Sequence, residues 1–210
     1  MEEMEIVKHK APPQGKINFE EFLAWADEDT HAEWEDGQVI MASPASINHQ
    51  KLILWISSIL NSYVRKHKLG EVIIAPFLMR LQVTDQGREP DLIFLKTENL
   101  DRLQNTYLAG AADLVVEIVS PESISRDRGR KFWEYEQEGI PEYWLLDPIR
   151  RQAEFYRLGD DGHYHVTLPE AEGIYRSVSV AGFWLKVDWL WQEPLPDEVE
   201  VLGRLGILER

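Results

Sequence analysis

The sequence predicts a mixed α/β (α+β) domain: a central mixed β-sheet, flanked by two or three helices and preceded by a β-hairpin. Three observations carry that prediction. Strand-like apolar runs recur at 72–75, 78–83, 91–96, 113–119, 143–146, 153–158 and 163–168, and they outnumber the helical segments. The segment 47–67 keeps apolar residues at helical spacing over several turns. No internal repeat or low-complexity linker divides the 210 residues, a length that suits one domain.

In chain order, residues 1–16 are expected to form a flexible leader closed by Ala11-Pro12-Pro13-Gln14-Gly15. Phe19, Phe22, Leu23 and Trp25 then fall at the spacing of a short amphipathic helix. Glu33-Trp34-Glu35-Asp36-Gly37-Gln38-Val39-Ile40 predicts a hairpin, because Asp-Gly is a favoured pair for a type I′ turn. The long helix follows, with Leu52, Trp55, Ile56, Ile59, Leu60 and Tyr63 on one face and Gly70 as its stop. After four strands, a second helix is expected from about 127 to 138, ending at Gly139. Three more strands lead to the aromatic run Phe183-Trp184-Leu185-Lys186-Val187-Asp188-Trp189-Leu190-Trp191, read as core or a dimer contact. The expected domain covers 17–192, with a Pro-rich acidic tail over 193–210.

Composition narrows the chemistry. The absence of cysteine removes disulfides, thiolate zinc sites and cysteine nucleophiles. Met1-Glu2-Glu3-Met4-Glu5 is acidic where a secretory signal is basic, and no apolar run approaches the ~20 residues of a membrane span, so a cytoplasmic protein is expected. The net charge of -15, from 37 acidic and 22 basic residues, argues against a general tight DNA binder, whose affinity comes from phosphate neutralisation. Ser120 lies in no nucleophile elbow, and the chain has no P-loop, dinucleotide fingerprint or His-Glu-x-x-His.

Two carboxylates stand out. Glu117 sits in the apolar strand Asp113-Leu114-Val115-Val116-Glu117-Ile118-Val119, where burial is costly without a partner or a metal. Asp91 opens the earlier strand in Glu89-Pro90-Asp91-Leu92-Ile93-Phe94-Leu95. If those strands pair, the two acids converge on one hard cation of the Mg²⁺ or Mn²⁺ type. Downstream, Asp127, Lys131 and Tyr135 recur at i, i+4 and i+8 and share one helix face.

Together these motifs resemble the PD-(D/E)xK phosphodiesterase superfamily. The run from Glu117 through Ser120-Pro121, Asp127-x-x-x-Lys131-x-x-x-Tyr135 and Gly139-Ile140-Pro141-Glu142-Tyr143-Trp144-Leu145-Leu146-Asp147-Pro148 is similar to a bacterial family of restriction-endonuclease-like proteins of unknown function. The resemblance spans about 17–190 and implies a restriction-endonuclease-like sheet. One position departs from the superfamily's simplest pattern: Val119 stands where a lysine is expected, two residues after the Glu. In the family resembled the lysine comes from the next helix, which maps onto Lys131. The family's opening hairpin, His31-Ala32-Glu33-Trp34-Glu35, maps its acidic site residue onto Glu33, with Glu35 on the same face. His49 also occupies a family-like position.

The resemblance implies a Mg²⁺- (or Mn²⁺-) dependent endonuclease acting on nucleic acid, with DNA foremost. In that reading Asp91 and Glu117 bind metal, and Lys131 and Glu33 complete the catalytic set. His49, Glu35, Asp127 and Tyr135 are additional candidates, and Arg126, Arg128 and Arg130 form a phosphate-binding patch. The alternative is a non-catalytic interaction module on the same fold, homodimeric through its aromatic surface. The acidic balance leaves room for a targeting partner that supplies positive charge.

Overall fold

The computed structural model describes residues 11–27, 29–120 and 123–208; most of the leader expected over 1–16 lies outside them. The mixed α/β architecture expected from the strand-rich pattern is the one observed. In chain order the elements are α1 (Phe19–Trp25), β1 (Ala32–Glu35), β2 (Gln38–Met41), α2 (Ile47–His67), β3 (Gly70–Ile74), β4 (Leu78–Leu81), β5 (Gln86–Arg88), β6 (Leu92–Lys96), β7 (Tyr107–Ala109) and β8 (Leu114–Ile118). A π-helical turn, Arg126–Arg130, then leads into α3 (Lys131–Gln137). The chain closes with β9 (Glu142–Asp147), β10 (Gln152–Leu158), β11 (Tyr164–Val166), β12 (Ile174–Arg176), β13 (Trp184–Lys186) and α4 (Glu198–Arg204).

The local chemistry explains the boundaries. Asn18 and Glu21 close a reciprocal capping box on α1, which satisfies two backbone donors at the helix start. Asp36 and Gly37 both take positive φ (51° and 84°), the signature of the type I′ turn joining β1 to β2. Ser46 caps α2, accepting from the His49 amide. The stop of α2 differs from expectation: Lys68, not Gly70, turns left-handed. Gly70 instead opens β3, pressed so close to β6 that a Cβ there would meet the Leu95 carbonyl oxygen at 1.8 Å.

Instead of one sheet, the described residues form two mixed sheets and a two-stranded ribbon. The larger sheet runs β11-β10-β9-β8-β6-β3, antiparallel except for the parallel pair β8–β9. The second runs β2-β1-β5-β4-β7, and β12 pairs with β13. β5, β7 and β12 are three-residue strands that periodicity does not reveal.

Alternation along the central strands sorts the core into two layers. Leu92 and Phe94 of β6, with Leu114 and Val116 of β8, pack against α2 through Ile56, Ile59 and Leu60. Ile93 and Leu95, with Val115 and Val119, face the opposite way, toward Met79, Leu81 and Tyr135. Trp184 and Trp189 pack with the first layer, their rings 5.3 Å apart. The expected tail over 193–210 is corrected as well: it carries α4, whose Val201 is buried, as are Leu205 and Ile207 just beyond, in the core beside α2. No helix among the described residues is long and apolar enough to cross a membrane.

Candidate active site

Asp91 and Glu117 reach the same place because of register and parity. β6 and β8 are antiparallel with Leu92 opposite Val116, so the next pair outward is Asp91 beside Glu117. Both belong to the face that carries Ile93 and Val115, away from α2 and toward α3. Asp91 Oδ2 accepts the Ile118 amide at 2.6 Å, which ties the first carboxylate to the strand of the second. His49 Nε2 lies 3.1 Å from the same oxygen. Burial opposes charge on that imidazole, but the bond to Asp91 and the charges of Asp91 and Asp127 together outweigh burial and hold its pKa above the ordinary value.

Glu117 is buried, and its Oε1 accepts from Lys131 Nζ at 2.9 Å and from the Tyr135 hydroxyl at 2.7 Å. Burial pushes the Glu117 carboxyl up, against the pull of the ammonium beside it. Burial alone would lower the Lys131 pKa, yet the surrounding carboxylates hold it well above its usual range. The ammonium also lies 2.9 Å from Glu33 Oε1 and 3.8 Å from Asp127 Oδ1. The π turn that precedes Lys131, closed by its own amide on the Arg126 carbonyl, is a local distortion of a kind often found at functional sites.

Glu33 arrives from β1. Burial would raise its pKa, but Lys131 and Arg88 overcome that and hold the carboxyl down at about 2. Arg88, at the end of β5 and fully buried, forks onto Glu134 (2.6 and 2.7 Å) and reaches Glu33 at 3.0 Å and Glu35 at 2.6 Å. It therefore locks the hairpin to α3 behind the site.

The groups open onto a cavity of about 510 Å³ lined by Glu33, His49, Asp91, Glu117, Asp127 and Lys131. Tyr135 stands beneath it, and Glu35 stands behind it among the arginines. The expected basic patch divides. Arg126 lines the cavity, and its buried Nε has no hydrogen-bond partner among the described residues. Arg128 pairs with Glu154 (2.7 Å) and Asp147 (3.6 Å). Arg130 pairs with Glu35, with Asp36 at 2.7 Å and with Glu134 at 2.9 Å. Both of those side chains are engaged in ion pairs with carboxylates of the fold.

Sequence reasoning also passed over Glu89 and Arg88. Glu89 lines the cavity beside Asp91; burial, reinforced by Glu33, pushes its carboxyl up to about 7. The signal was present, since Glu89 directly precedes the Pro90-Asp91 pair. Among the described residues no group of three or more His, Asp or Glu side chains is arranged to hold a metal ion. Asp91 Oδ1 and Glu117 Oε2 accept no hydrogen bond from the described residues. One oxygen of each carboxylate is thus free for a ligand that shares its coordination with water or substrate.

The family described as "Uma2: Putative restriction endonuclease" matches residues 19–188. The uncharacterized protein slr1290 of Synechocystis sp. is 25% identical over 163 residues, covering 76% of this chain and 83% of that one. A crystal structure titled as a putative nuclease belonging to DUF820, from Anabaena variabilis, shares the fold: its TM-score is 0.69 at 20% identity, covering 83% of this chain and 97% of that one.

Proposed function

The chain belongs to the Uma2 family, described as putative restriction endonucleases, and from that premise we propose that it is a Mg²⁺- or Mn²⁺-dependent endonuclease hydrolysing phosphodiester bonds in DNA. The observation that carries this reading is the position of Lys131, 2.9 Å from both Glu33 and Glu117 in a cavity that Asp91 also lines.

Asp91 and Glu117 are the residues that would hold the metal, and their oxygen donors suit a hard cation that keeps several waters. A bound ion of this kind acidifies its water and neutralises charge on the phosphate. The chain's own groups do the rest. Lys131 offers its ammonium to the negative charge that grows on the phosphoryl oxygens. Glu33 holds that ammonium in place, and Tyr135 fixes the rotamer of Glu117 by donating to its Oε1. His49 and the Ile118 amide orient Asp91. Arg126 is the cation placed to meet a backbone phosphate. Because the chain carries a net charge of -15, a basic partner would supply further positive surface.

The test is incubation of the folded chain with supercoiled, linear duplex and single-stranded DNA, with Mg²⁺, Mn²⁺ or chelator. Metal-dependent cleavage that disappears in Asp91→Ala/Glu117→Ala supports the reading and ranks the substrates. A folded chain that cleaves nothing and binds no metal supports the second reading, a non-catalytic module, which the acidic charge favours.

A further inference from the structure

A second cavity of about 430 Å³ adjoins the first, and Glu89 stands in the walls of both. Its remaining walls come from α1, from the segment entering β4 and from the turn before β7, where the hairpin core meets the second layer. The almost wholly buried Phe22 and the half-buried Phe77 line it, with Thr30, Asn105 and Thr106 as polar groups. No lysine, arginine or histidine lines it, and its charged side chains, Asp27 and Glu89, are both acidic.

From this lining we infer that the second cavity receives one unpaired nucleobase flanking the scissile phosphodiester, an inference that rests on the nuclease reading above. Three features select that occupant. Aromatic and aliphatic walls with a few polar groups suit a flat heteroaromatic ring. An acidic lining repels a phosphate, whereas carboxylates and the Asn105 amide can accept from and donate to a base edge. The third feature is position. Glu89 stands in the walls of both cavities, so a phosphodiester in the first brings a neighbouring nucleotide within reach of the second. A base inside an intact duplex is stacked and paired and must be extruded before it can enter such a pocket. The substrate class is therefore nucleic acid that is single-stranded or carries an unpaired base at the cleavage position.

The experiment uses the full chain carrying Glu117→Gln, so that bound nucleic acid survives. Three fluorescein-labelled duplexes are compared: fully matched, with one bulged 2-aminopurine, and with an abasic bulge at the same position. The expected result is that the bulged base binds about tenfold tighter than either control, the scale of one base-stacking contact, with a change in 2-aminopurine emission. Thr106→Trp, at an exposed rim position, fills the pocket without disturbing the core and abolishes both signals. Equal affinity for the bulged base and the abasic bulge, or a preference that survives Thr106→Trp, overturns the inference while leaving the nuclease reading intact. Binding of none of the three duplexes, by a chain that melts cooperatively, defeats that reading and the pocket assignment with it.

Discussion

Lys131 Nζ meets Glu117 Oε1 at 2.9 Å although the two residues belong to different layers, a helix and the central sheet strand before it. Glu33 closes the other side of the ammonium at the same distance. One buried cation thus serves two carboxylates from two sheets, and its removal leaves Glu117 without a cationic partner and Glu33 with Arg88 alone. Lys131→Met is expected to cost on the order of 3–5 kcal/mol of stability at neutral pH. It should also lower metal-dependent cleavage by on the order of 10²–10³-fold. Urea denaturation and cleavage kinetics on the same preparation check both.

Arg88 makes a different prediction, because it touches the acids from behind and does not line the cavity. Arg88→Lys keeps the charge but loses the fork onto Glu134 and the contact that spans to Glu35. The variant should lose about 3 kcal/mol in urea denaturation. Its cleavage should fall through a lower fraction of folded chain, recovering toward wild type at low temperature.

The arginines near the π turn separate by partner. Arg126→Ala should weaken nucleic-acid binding and flatten its salt dependence, the mark of a lost phosphate contact. Arg128→Ala and Arg130→Ala should change melting but leave the affinity per folded molecule unchanged, since those side chains are held by Glu154, Glu35 and Asp36. Anisotropy titrations at two salt concentrations distinguish the cases.

Much of this arrangement is legible in the residues alone. The α2 helix runs 47–67 as its periodicity indicates, and the Asp36-Gly37 hairpin forms at the expected turn. Asp91, Glu117 and Lys131 carry motif spacing and do converge on one cavity. What stays hidden depends on tertiary placement. Gln86-Gly87-Arg88 is too short and polar to read as a strand, so the buried role of Arg88 has no local signature. Glu89 differs from an ordinary strand-entry acid only in being enclosed by Glu33 and Asp91. The three arginines look equivalent as a string and are distinguished only by the acids that β1, β9 and β10 bring to them. Helix α4 follows a Pro-rich stretch, and its one-sided apolar face is visible only once α2 is beside it.

Two carboxyls give opposite pH signatures. Glu33 has a folded-state pKa held down at about 2 against 4.5 ordinarily, so its contribution is full above 4.5 and disappears as pH falls toward 2. Glu89 has a folded-state pKa raised to about 7, so its protonated form supports the fold below 4.5 and that support is lost as pH rises through 7. In chelator-containing buffer, Glu89→Gln is expected to be more stable than wild type above pH 7, by on the order of 2–3 kcal/mol, with the gain vanishing near pH 4.5. Glu33→Gln should be less stable than wild type at neutral pH and should lose less on acidification. Denaturation series across pH 3–9 read both slopes.

The most direct test of the metal-site assignment is Mn²⁺ binding followed by electron paramagnetic resonance, with Mg²⁺ as competitor, alongside plasmid nicking by the same samples. The wild type should bind Mn²⁺ saturably, with Mg²⁺ displacing it, and both binding and nicking should be lost in Asp91→Asn and in Glu117→Gln. Mn²⁺ binding or nicking that persists undiminished in those two folded variants would contradict that assignment.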